Sequence, residues 1–175
     1  MKYSLSDVGW FTPFKLGLLK ERLNAVGIRW LLFAGVAAYC YGSKRRVSDI
    51  DVLVFDQDFE KAERAMGKMD GVELCKGKFK KIGKKEYYLG LNEEMFTHKQ
   101  TRTFFGVEVN LISVEDNILF KAISQRGKEQ EKFDLEDIIA MAKSEKINVD
   151  YLKRRIKILG AARRVNPVLK KLGVL

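Results

Sequence analysis

LLFAGVAAYCYGSKRRVSDIDVLV, residues 31–54, decides the reading of this chain. It opens on an apolar run that ends at Ala34-Gly35, and after thirteen intervening residues it reaches Asp49-Ile50-Asp51 at the head of a second apolar run, Ile50 to Phe55. In an extended strand, residues i and i+2 face the same way, about 6.6 Å apart. Asp49 and Asp51 therefore project together while Ile50 and Val52 point into a core. Two carboxylates so placed repel by a few kcal/mol, roughly, at an effective dielectric near 20. A divalent cation offsets that repulsion directly, and all-oxygen ligands suit magnesium or manganese. Asp49 alone also reads as a solvated strand start; Asp51, one step inside the apolar run, does not.

Working outward, Thr12-Pro13 reads as an N-cap with proline at the first helical position. Phe14, Leu18, Leu19, Leu23 and Val26 then recur at helical spacing up to Gly27. The pattern predicts strands at 29–34, 50–55, 72–75, 79–82, 86–91 and 101–113, with short or amphipathic helices at 36–41 and 56–69. From Val114 the periodicity turns helical, at 114–125, 131–143 and 149–159. This order predicts an α+β core over residues 1–113 and a helical C-terminal part, 114–175, packed on it.

The 175 residues hold 33 Lys plus Arg against 23 Asp plus Glu, a net charge of +10. The excess is local. Lys76, Lys78, Lys80, Lys81, Lys84 and Lys85 form a run with no acid between its ends, and the cations from Lys143 to Lys171 face only Glu145 and Asp150. Such clusters attract polyanions over a Debye length of roughly 8 Å. On the terminal helices, Lys153, Arg154, Arg155, Arg163 and Arg164 are the candidates for holding an RNA. Cys40 and Cys75 lack CxxC spacing, so neither a disulfide framework nor a zinc site is expected. No apolar run reaches the length of a membrane span and the first residues do not read as a signal peptide, so a cytoplasmic protein without a membrane partner is expected. There is no G-x-x-x-x-G-K-[ST] loop and no G-x-S-x-G elbow. The single histidine, His98, lies in a polar stretch and is given no chemical role.

An apolar residue, a glycine, a spacer and then Asp-apolar-Asp resembles the signature of the DNA polymerase β-like nucleotidyltransferase superfamily. The stretch from Ala34-Gly35-Val36 through Ser48-Asp49-Ile50-Asp51 is similar to its small prokaryotic branch, which includes transferase-type toxins of abortive-infection systems. The resemblance is good over residues 31–54 and loose to about Ile138. It implies a nucleotidyltransferase fold, a short mixed β-sheet flanked by helices, with an NTP as substrate and two Mg2+ (or Mn2+) ions held by three carboxylates. It implies transfer of an NMP to an RNA, protein or small-molecule acceptor. Gly35, Ser43, Lys44, Arg45, Arg46 and Lys121 would meet the nucleotide, while Arg126, Asp134 and Asp137 would border its cleft. The chain departs from the signature twice. Ala34 stands where the first glycine of the pair is usual. The third acid, sought in Phe105-Gly106-Val107-Glu108-Val109-Asn110, falls on Asn110, with Glu108 two residues earlier. Glu108 is then the third metal ligand, with Asn110 as a neutral alternative; a degraded module serving as nucleotide sensor or binding subunit is the competing reading.

Overall fold

The computed structural model describes residues 13–47 and 49–175, Pro13 by its backbone alone, so the Thr12 cap and Ser48 lie outside the described residues. The chain runs α1 (Pro13–Ala25), β1 (Trp30–Leu32), α2 (Ala34–Cys40), β2 (Ile50–Val54), α3 (Phe59–Met66), β3 (Val72–Cys75), β4 (Lys78–Ile82) and β5 (Lys85–Leu89). It continues through α4 (Glu93–Thr97), β6 (Gln100–Phe104), β7 (Val107–Leu111), α5 (Val114–Ser124), α6 (Asp134–Ser144), α7 (Val149–Ile158) and α8 (Ala162–Lys171).

Five strands form one sheet in the order β3-β2-β1-β7-β6, and β4 with β5 forms a separate hairpin. The sheet is mixed. β1 runs antiparallel to β2 and parallel to β7, β2 runs parallel to β3, and β6 is antiparallel to β7. The parallel β2–β3 step requires a crossover, which α3 supplies. Ile50, Val52 and Val54 are fully buried, as the alternation of β2 requires. Helices flank this sheet. Leu16, Leu19 and Leu23 of α1 have no exposed surface. α5 is buried from Val114 to Ile123, acids included, because it is the central helix against which α2, α6, α7 and α8 all pack. Ala37 and Ala38 keep α2 slim, and the loop behind it passes so close to α6 that a Cβ on Gly42 (φ +106) would fall inside the Ser144 side chain.

Two expectations need correction. Residues 101–113 are not one strand but the hairpin β6–β7, whose two-residue turn Phe105-Gly106 has φ +49 and +79, the paired left-handed geometry that matches strand twist. The helical C-terminal part ends in α8, which accommodates Pro167 within the helix. Finally, the arginines of α7 do not form a free basic face. Arg155 is 2 % exposed, its Nε donating to Asp116 at 2.7 Å, and Arg154 pairs with Glu94 at 2.7 Å. Tyr151 also donates to Asp116, at 2.6 Å, and stacks on His98 with ring centroids 3.9 Å apart. These groups lock α7 and α4 onto α5. No helix among the described residues is long and apolar enough to cross a membrane.

Candidate active site

β2 and β3 lie side by side in parallel, with Asp51 directly opposite Glu73. Paired residues of neighbouring strands share a face, and Asp49 shares it by alternation. The result is a cluster in which carboxylate oxygens of Asp49, Asp51 and Glu73 all lie within 4.8 Å of one another. No ion pair to Asp51 or Glu73 occurs among the described residues. The Asp51 carboxyl is accordingly pushed up to about 6, first by burial and then by Asp49 and Glu73, with Lys132 and Lys121 pulling the other way. Three oxygen donors at this separation fit a hard divalent cation. Cys75, the next inward residue on β3, adds no soft ligand: burial, with Asp51 beside it, pushes its thiol up to about 12, so it stays protonated at neutral pH.

The third acid of this cluster is Glu73, and neither Glu108 nor Asn110 belongs to it. β7 is separated from β2 by β1, so both residues sit two strands away. Glu108 is exposed opposite Thr103 on the edge hairpin, and Asn110 accepts a hydrogen bond from the Thr101 hydroxyl at 2.9 Å. A usable signal was present in Val72-Glu73-Leu74-Cys75: an acid at strand register just after the helix that follows Asp51, where a parallel crossover returns the chain beside β2.

The cluster forms the floor of a cleft of about 210 Å³. One rim is Ala34-Gly35, at the start of α2. Ala34 has φ +53, a left-handed conformation that favours glycine, and the Asn117 side chain brackets it, accepting from Ala34 N–H at 3.0 Å and donating to its carbonyl at 3.2 Å. A Cβ on Gly35 would make ordinary contacts with Val47 and Arg45 at 3.9 and 4.0 Å, so packing alone does not demand a glycine there.

The opposite wall is ionic. Lys121, 4 % exposed, donates to Asp137 at 2.8 Å and reaches Asp134 at 3.4 Å. Arg126 holds Asp134 at 3.0 Å. Arg45 and the Ser43 hydroxyl hold Asp137 at 3.0 and 2.7 Å. Burial disfavours both carboxylates, but for Asp134 the Arg126 hydrogen bonds with Lys121, and for Asp137 Lys121 with Arg45 and Ser43, outweigh it and keep each below its ordinary value. Of the residues expected to meet a nucleotide, Gly35, Arg45 and Lys121 therefore line the cleft and Ser43 braces it through Asp137. Lys44 and Arg46 are exposed and are not on its wall. Lys76, Lys78 and Lys80 do line it, together with Lys132. They were legible as a basic run but not as part of this cleft, because only the tertiary fold brings the hairpin over β2.

With this geometry in view, comparison with known proteins points to one class. Residues 87–172, just under half of the chain, match the model of a family described as "Nucleotidyl transferase of unknown function (DUF2204)". That segment carries Lys121, Arg126, Asp134 and Asp137 but not the acidic cluster. A crystal structure of an antigenic nucleotidyltransferase-like protein from Paracoccidioides brasiliensis aligns with a TM-score of 0.48 at 15% identity, covering 90% of each chain. No curated protein matches. The chain is similar to the nucleotidyltransferases, in agreement with the resemblance carried by residues 31–54.

Proposed function

We propose that the protein is a metal-dependent nucleotidyltransferase that moves an NMP from an NTP to an acceptor hydroxyl. The observation that supports this most is the coexistence, in one cleft, of three clustered acids and a surround of lysines and arginines. A triphosphate satisfies both, its oxygens meeting the cations and sharing divalent ions with the acids. Asp49, Asp51 and Glu73 would hold Mg2+ or Mn2+, whose chemistry there is to neutralise charge building on the attacking and leaving oxygens.

In the transfer, the acceptor oxygen attacks the α-phosphorus and the bond from that phosphorus to the α,β-bridging oxygen breaks. Pyrophosphate leaves with the bonding pair. The hydroxyl proton passes to a carboxylate of the cluster or to water. Arg45, Lys121 and Lys132 line the place the phosphates would occupy, and the Asp134–Asp137 network fixes the first two before substrate arrives. The degraded-module reading drew on Asn110 and Ala34; an acid, Glu73, beside Asp51 weakens the first of these grounds, which favours a catalytic site.

The test is incubation with each labelled NTP, Mg2+ or Mn2+ and acceptors including total tRNA, with Mn2+ affinity measured in parallel. Metal-dependent labelling that Asp49→Asn abolishes is the expected result. Absence of labelling, together with Mn2+ affinity unchanged in Asp49→Asn, would end the proposal.

A further inference from the structure

One face of the β4–β5 hairpin lines two concavities. Its register pairs Lys78 with Leu89, Lys80 with Tyr87 and Ile82 with Lys85, and alternation places these six residues on a single face. Lys78, Lys80 and Leu89 look into the cleft of the acidic cluster. Tyr87, Ile82 and Lys85 line a second, open groove of about 550 Å³, completed by Lys84 at the turn and by Arg163 and Arg164 at the start of α8. The groove and the cleft thus adjoin at the Lys80–Tyr87 pair, along a face about 13 Å long from Lys78 to Ile82.

Four of the groove's six lining residues are cationic, and none of those described is acidic. Two of these cations, and Lys80 at the junction with the cleft, are positioned by neutral oxygens rather than by carboxylates. Lys85 Nζ donates to the Gly160 carbonyl at 2.6 Å, Arg164 Nε to the Ile123 carbonyl at 3.2 Å, and Lys80 Nζ to the Ser124 hydroxyl at 2.8 Å. This contrasts with α7, whose Arg154 and Arg155 are consumed by Glu94 and Asp116. Burial and the neighbouring Arg126 lower the Lys80 ammonium from its ordinary value, as expected where positive charge is crowded. A concave channel with four cations and no acid among its described lining residues suits a single strand, which offers a flexible line of phosphates. A bilayer surface would instead need an apolar wedge at the rim, and the exposed ring of this hairpin, Phe79, lies on the other face.

We propose that this continuous face is a track for a single-stranded nucleic acid, its phosphates on Lys84, Lys85, Arg163 and Arg164 and its end delivered past Lys80 to the acidic cluster. The inference rests on the nucleotidyltransferase reading and names the acceptor class for it.

Fluorescence anisotropy with a labelled 20-nucleotide RNA, the same sequence as DNA, and phosphatidylserine vesicles tests this on the full chain. Four phosphate contacts on a single strand give a log–log salt slope of about −2.8, or roughly 50-fold weaker binding at 200 mM than at 50 mM salt. Lys84→Glu combined with Arg163→Glu should weaken binding at least ~10-fold and flatten the slope to about −1.4. The exposed pair Lys143→Glu with Lys146→Glu, which lines neither concavity, should change it far less. RNA and DNA arms separate the two sources of the strand. Binding only to vesicles, or equal loss in both double variants, overturns the proposal. Mn2+ and NTP binding, measured on the same samples, should be untouched by the groove variants; their absence in the wild type would instead sink the underlying enzymatic reading.

Discussion

Neutralising Asp51 should make the metal-free protein more stable while removing its response to divalent cations. The gap between a carboxyl at about 6 and its ordinary 3.8 corresponds to about 3 kcal/mol at 1.36 kcal/mol per pH unit. The sign follows from which state holds the proton more tightly. Asp51 is raised in the folded state, so the fold binds that proton better than the unfolded chain does, and stability is lost as pH climbs from about 4 through about 6. Relative to wild type, Asp51→Asn should gain only about 0.5 kcal/mol at pH 4 and at most about 3 kcal/mol at pH 8, less whatever the buried amide costs. Urea unfolding in EDTA at the two pH values measures this. With Mn2+ at a hundred times its dissociation constant, the wild type should gain about 2.7 kcal/mol and the variant far less. A variant less stable than wild type at pH 8, a difference independent of pH, or equal stabilisation of both proteins by Mn2+ would refute the electrostatic account of the cluster.

The choice of third acid can be read from activity. Glu73→Gln should lower metal-dependent labelling at least ~100-fold, equivalent to about 2.7 kcal/mol, whereas Glu108→Gln should stay near wild type; the reverse ranking would return the third ligand to β7. Ala34→Gly should stabilise the fold by about 0.5–1 kcal/mol in urea, because relief of the left-handed φ exceeds the added freedom of glycine in the unfolded chain. A loss above 1 kcal/mol, roughly, would mean that helix propensity in α2 dominates. Arg155→Ala leaves Asp116 buried and charged and should cost about 3–5 kcal/mol, while Arg154→Ala, at a half-exposed pair, should cost under about 1 kcal/mol. Comparable losses in the two variants would show that Asp116 does not depend on Arg155.

What the sequence disclosed tracks the range of the interactions involved. Asp49 and Asp51 were legible because their relation is local, two residues on one strand. The same holds for α5, α6 and α7, which begin or end within a few residues of the ranges that apolar periodicity predicts. Glu73 was missed because its relation to Asp51 is a register between strands, and the strand 72–75 reads as unremarkable until β2–α3–β3 is folded as a parallel crossover. Lys153, Arg154 and Arg155 look alike in sequence. Only burial separates Arg155, locked on Asp116, from its neighbours. Arg45 and Lys121 were found, but not the reason they hold still: Asp137 joins them from 92 and 16 residues away.

The distribution of charge inside the cleft carries the functional reading further than any single residue. Asp134 and Asp137 are more deeply buried than the cluster acids, yet they keep their charge because Lys121, Arg126 and Arg45 converge on them. Lys121 also acts electrostatically on Asp51, but its ammonium is spent on α6. On the floor, burial together with Asp49 and Glu73 holds the Asp51 carboxyl above its ordinary value, so crowding these carboxylates costs the fold stability. This chain neutralises the acids that brace the wall, while Asp51 on the floor is crowded by Asp49 and Glu73 in a cleft that lysines line. Repulsion maintained at that cost is relieved by something that arrives with positive charge, and the surrounding cations call for a highly anionic companion. A divalent ion carried with a triphosphate meets both demands at once.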